Sequence, residues 1–114
     1  MAFIDELRKN SRTKEQIARE EEEQRRAAFD QDVESSRREI RQECMDCAHN
    51  GERTCTYKMT LGYLAHFVAR DRSEADRFRN KVEFLLLEDG LNVRSKLSRD
   101  RHSGSWAIEF TLRW

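Results

Sequence analysis

The chain has 114 residues, enough for one hydrophobic core and not for two. Charged residues make up 39% of it, against a norm of roughly 25%, and the absence of proline with only four glycines excludes a long flexible linker. The net charge is zero, with 10 Lys/Arg against 13 Asp/Glu over residues 1–50 and 12 against 9 over residues 51–114, so neither part has the bias of a general DNA-coating protein.

Phe3, Ile4 and Leu7 open the chain as a short apolar cluster of one or two helical turns, interrupted at Ser11-Arg12-Thr13. Thr13 and Gln16 have the spacing of a capping box, in which each side chain satisfies the other residue's free backbone N–H. From there to about Asn50 nothing breaks a helix, a run of about 37 residues and roughly 55 Å. Residues 14–27 are almost all charged, with Glu15–Arg19, Glu21–Arg25 and Glu22–Arg26 in the favourable i,i+4 order. The second half carries an apolar stripe, Phe29, Val33, Ile40, Cys44, Cys47 and Ala48, which must lie against something apolar. Gly51 stands where a left-handed cap is required.

The period then changes. Cys55, Tyr57, Met59 and Leu61 alternate with Thr54, Thr56, Lys58 and Thr60, the pattern of a half-buried strand. Tyr63 to Arg72 reads as a loop anchored through Leu64, Phe67 and Val68. Ser73-x-x-Asp76 opens a helix that ends at Gly90 and buries Ala75, Phe78, Val82, Leu85 and Leu86, with Phe84 and Leu87 widening the buried face. Two further strands follow. One carries Leu91, Val93, Ser95 and Leu97 inward; the other carries Trp106, Ile108, Phe110, Leu112 and Trp114, and Arg99 to Ser105 connect them as a hairpin.

These elements predict an α+β fold: a long N-terminal helix, then strand-helix-strand-strand, in a three-stranded antiparallel sheet of order 2-3-1 covered by helices on one face. Residues 1–50 are expected to form a charged helical extension whose second half packs on a 51–114 β-α-β-β core, one domain overall.

Cys44, Cys47, His49 and Cys55 are the sharpest local pattern and a weak zinc candidate. Their spacing of two, one and five intervening residues departs from the two, four and four of a zinc knuckle. The cysteines also continue apolar faces, which buried thiols acting as small hydrophobes explain. His49, His66 and His102 fall at a helix end, in a loop and at a hairpin tip, so no nucleophile–base–orienter set is expected. No Gly-rich phosphate loop is present. The expectation is therefore a protein that is not an enzyme and uses no cofactor.

Two surfaces remain for a partner. The outward sheet face carries Lys58, Arg94, Lys96 and Arg113 among Thr54, Thr56, Thr60 and Thr111, opposed by Glu109 alone. It suits an acidic protein or phosphates but lacks the exposed aromatics that stack bases. The charged helix, with Arg19, Glu22 and Arg26, is the second surface, and it also offers a route to a homo-oligomer. No stretch approaches the ~18 apolar residues of a membrane span. Met1-Ala2-Phe3-Ile4-Asp5-Glu6 places acids where a secretory signal needs an apolar run. With three cysteines, a cytoplasmic, reducing setting with free thiols is expected.

The opening Phe3-Ile4-Asp5-Glu6-Leu7-Arg8 and Ser11-Arg12-Thr13-x-Glu15-Gln16, with Ile40-x3-Cys44, Gly51 and the closing Ile108-x-Phe110-x-Leu112-x-Trp114, resembles short prophage-type proteins of unassigned function. The resemblance implies a mobile-element origin. It also implies a phage-encoded inhibitor that binds a host machine, such as a CRISPR or other defence complex, by protein–protein contact. Nucleic-acid or nucleotide binding on the sheet face, and a homo-oligomeric structural role, are the alternatives.

Overall fold

A computed structural model describes residues 2–62 and 66–114 of the chain. Its elements are α1 (Phe3–Asn10), α2 (Lys14–His49), β1 (Thr54–Leu61), α3 (Arg72–Glu88), β2 (Asn92–Arg99) and β3 (Trp106–Arg113). No described helix is long and apolar enough to cross a membrane.

The start of α2 follows from local chemistry. Thr13 Oγ1 accepts from Gln16 N at 3.1 Å and Gln16 Oε1 accepts from Thr13 N at 3.0 Å, which completes the capping box. Its end is equally local. Gly51 takes φ +83°, so that Glu52 N reaches Cys47 O and Gly51 N reaches Ala48 O, the paired bonds of a Schellman motif. Gly90 closes α3 in the same way, with Leu91 N on Leu86 O.

The start of α3 departs from expectation. Asp71, not Ser73, is the N-cap: its carboxylate accepts from Glu74 N at 2.9 Å, while Glu74 accepts from Arg70 N at 2.7 Å. Asp76 then lies past the first turn, where it pairs with Arg79 at 2.9 Å. The earlier carboxylate wins because a cap must lie outside the helix, in extended backbone, as Asp71 does.

The sheet has order β1-β3-β2, with β3 antiparallel to both neighbours over eight unbroken pairs on each side. The most apolar strand is thus central, as expected. α2 packs on β1 and on α3, and α3 on β2. Val33, Ile40, Ala75, Phe78, Val82, Leu86, Ile108, Phe110 and Leu112 form the buried centre. Phe29 meets Phe67 and Phe78 edge-on at 5.0 and 5.4 Å, and this aromatic group ties α2 to α3 through the loop between them.

Several expected inward residues are exposed instead. Phe84 and Leu87 are more than half exposed, because α3 needs only the strip through Ala75, Phe78, Val82 and Leu86 to cover its neighbours. Ala48 is exposed in the last turn of α2, and Trp114 lies beyond the end of β3. In the loop, Phe67 is buried as expected but Val68 is exposed, while Leu64 lies outside the described residues.

Every described residue from Ala2 to Gln24 is exposed, so α1 and the first three turns of α2 project from the body. The radius of gyration, 19.4 Å, exceeds the roughly 13 Å of a compact chain of about this length, as such a projection requires. Of the three ion pairs expected along this half, Glu22–Arg26 is present at 3.8 Å. Arg25 turns away from Glu21 to bond Glu74 of α3 at 2.6 Å and to stack on Phe67, a half-buried site where a charge pair is less screened. Arg12 bonds Glu20.

Candidate binding surface

Strand register decides which side chains share the outer face. Its rows are Thr54–Arg113–Asn92, Thr56–Thr111–Arg94, Lys58–Glu109–Lys96 and Thr60–Ala107–Ser98. Lys58, Arg94, Lys96 and Arg113 are therefore brought together on one surface, all exposed. Neighbouring strands stand about 4.8 Å apart and same-face residues along a strand about 6.8 Å apart, which sets the spacing of the cations. Glu109 sits at the centre between Lys58 and Lys96. Lys58 Nζ lies 3.5 Å from its carboxylate, an exposed pair of small energetic weight. Among the described residues, Arg94, Lys96 and Arg113 have no carboxylate partner. Four cations against one carboxylate leave the face strongly positive.

The aromatic side chains turn the other way. Tyr57 donates its hydroxyl to Glu39 of α2, and Trp106 packs against the core under the Arg99 guanidinium at 5.4 Å. No ring stands among the outer rows, so the face offers charge and hydroxyls without a stacking platform.

Arg19, Glu22 and Arg26 lie elsewhere, on the free half of α2, and Glu22 and Arg26 partly neutralise each other. The structure thus separates the expected partner residues into a cationic sheet face and a charge-balanced rod.

The cysteines meet at the junction of α2 and β1. The Cys55 thiol points to Thr56 O at 4.0 Å, a weak contact. The neighbouring Cys55 thiol, followed by desolvation, pushes the Cys47 thiol up to about 12. Burial is the main cause of the upward shifts of Cys44 and Cys55. Each shift favours the protonated thiol over the thiolate. His49 is exposed in the last residue of α2, and among the described residues no group of three or more His, Cys, Asp or Glu side chains is arranged to hold a metal ion.

A cleft of about 340 Å³ between α2, β1 and the loop contains residues that the sequence did not single out. Asp32 is buried on α2; its carboxylate accepts from Phe67 N at 2.6 Å and lies 3.0 Å from His66 Nδ1. Ser36 is buried one turn further along. A signal for these residues exists in the stripe itself: the seven-residue step from Val33 to Ile40 leaves a core-facing position that a polar residue, Ser36, occupies. Both Asp32 oxygens are spent on fixing the 66–67 backbone and ring, which gives the carboxylate an anchoring role.

Comparison with protein-family models, with curated proteins and with solved structures finds no match to this chain.

Proposed function

We propose that this chain is a small non-enzymatic binding protein that meets an acidic partner protein through the open face of its sheet. The single observation that carries the reading is the placement of Lys58, Arg94, Lys96 and Arg113 in adjacent rows around one carboxylate. All four cations are exposed, which supports the reading. A surface of this charge accelerates encounter with an acidic partner and rejects basic ones. The projecting half of α2 adds a second contact, and the resemblance to prophage-type proteins extends the proposal to a partner within a host defence complex, inhibited by occupancy.

The test is comparative capture from a host lysate by three proteins: the intact chain, the Arg94→Glu/Lys96→Glu variant, and a chain lacking residues 1–24. The cut stops at 24 because removal of Arg25 would break its bond to Glu74 and its stacking on Phe67. Loss of an acidic protein partner on charge reversal is expected. Unchanged capture by the charge-reversed variant refutes the sheet-face reading. Capture of nucleic acid in place of protein, with affinity falling steeply as salt rises, replaces it with the alternative reading.

A further inference from the structure

We infer that the free edge of β2 accepts an extended acidic segment of the partner protein as a fourth strand of the sheet. This rests on the sheet-face reading and goes beyond it, because it assigns main-chain recognition and a side-chain pattern to the partner.

The parity of the hydrogen bonds identifies the edge. Asp100 N donates to Ser105 O at 2.8 Å, which makes this opposed pair a hydrogen-bonded one. In an antiparallel ladder such pairs recur every second residue, so in the β2–β3 register the bonded residues of β2 are Asn92, Arg94, Lys96 and Ser98. The N–H and C=O groups of Val93, Ser95 and Leu97 therefore point away from β3. Trp114 N donating to Arg53 O fixes the parity of the other side consistently, since it turns Ile108, Phe110 and Leu112 towards β1 and leaves the odd residues of β3 for β2. Among the described residues no backbone group bonds the outward set of β2. The edge runs for eight residues without a bulge or proline; its guarding charges, Arg94 and Lys96, oppose a cationic strand and admit an acidic one.

The side chains that flank this edge select the occupant. On the outer face Arg94 and Lys96 stand two residues apart, and a strand laid beside β2 would place every second side chain against them. Those positions call for carboxylates. On the inner face, Glu83 of α3 bonds Ser95 Oγ at 2.6 Å, which marks the strip of α3 that overlies β2. Leu87, four residues later on that strip, is 55% exposed. The intervening side chains of an added strand would cover it, so those positions call for apolar residues. A second copy of β2 is a poor occupant, because antiparallel pairing of two such edges opposes Arg94 and Lys96 to their own kind. The other edge, β1, offers one cation, and that one is already beside Glu109.

The recognised segment is thus an extended run that alternates acidic and apolar residues, bound by strand addition. The probe is a fluorescently labelled, capped peptide of four Glu-Val repeats, and the readout is fluorescence anisotropy with the full chain. Two further peptides carry N-methyl groups on all valines or on all glutamates. In antiparallel addition the valine N–H groups face β2; in parallel addition the glutamate N–H groups do. Methylation of one set should weaken binding at least about tenfold, as the loss of several hydrogen bonds requires, while methylation of the other leaves it within about twofold. If both methylated peptides bind as the parent does, yet Arg94→Glu/Lys96→Glu abolishes binding, strand addition is overturned and the sheet-face reading stands. If the charge reversal has no effect, both fall. A parent peptide bound only by a dimer of the chain would identify self-pairing as the use of this edge and overturn the proposal.

Discussion

The carboxylate of Asp32 accepts the backbone N–H of Phe67 at 2.6 Å, a side chain in the middle of a long helix holding the main chain of a loop 35 residues away. Phe67 in turn closes the aromatic group with Phe29 and Phe78. Asp32→Ala leaves a buried N–H without an acceptor, so it should destabilise the fold by about 1–3 kcal/mol in urea denaturation. Asp32→Asn keeps an acceptor oxygen and should cost less. Equal losses for the two variants would mean that the charge, not the acceptor, is what matters.

Core and surface phenylalanines of α3 should separate cleanly. Phe78 is fully buried and Phe84 is 54% exposed. Phe78→Ala should cost about 3–5 kcal/mol, a large share of the roughly 5–15 kcal/mol that holds a domain of this size. Phe84→Ala should stay within about 0.5 kcal/mol. A comparable loss at both positions would place Phe84 in contact with something that buries it.

The ion pair of Arg37 with Asp89, bonded at 2.7 and 3.0 Å, joins α2 to the end of α3. The Arg37 hydrogen bond holds the Asp89 carboxyl below its ordinary value. The unfolded chain therefore binds the proton first as pH falls, so the stabilisation is complete above about pH 5 and is lost as pH drops through the folded value. The stability difference between the parent and Asp89→Asn should shrink towards zero along that acid limb. A difference that does not vary with pH would show that the pair contributes through packing alone.

The cysteine cluster acts at the opposite end of the pH range. With Cys47 raised to about 12 beside Cys55, the folded state keeps a proton that the unfolded chain gives up near pH 8.5. Stability should accordingly fall as pH rises above about 8.5, and Cys47→Ser should flatten that fall. At pH 8 a maleimide should label the native thiols far more slowly than it does in urea. Rapid native labelling would contradict the raised thiol values.

How much of this was legible before the coordinates depended on the range of the interactions. Alternation of Cys55 to Leu61 and of Trp106 to Leu112 settles strand, face and central position, because a strand with one buried side repeats every two residues. Thr13–Gln16, Gly51 and Gly90 are readable because caps are local. α3 is harder: Ser73-x-x-Asp76 has cap spacing, yet the extended backbone at Asp71 puts the cap two residues earlier. The Asp32–Phe67 bond and the turning of Arg25 from Glu21 to Glu74 depend on which surfaces meet after folding. The face holding Lys58, Arg94, Lys96 and Arg113 was readable from period alone, whereas the edge parity of β2 required the register and the hairpin bond of Asp100.

We propose the outer sheet face, at its β2 side, as the place where the partner binds. The most direct test is a ¹H–¹⁵N correlation titration of the full chain with the alternating Glu-Val peptide. Shifts are expected to concentrate at Val93 to Leu97 and at the facing Glu109 and Thr111, with α2 residues 14–24 unmoved. Shifts confined to the projecting half of α2, or none on β2, would contradict it.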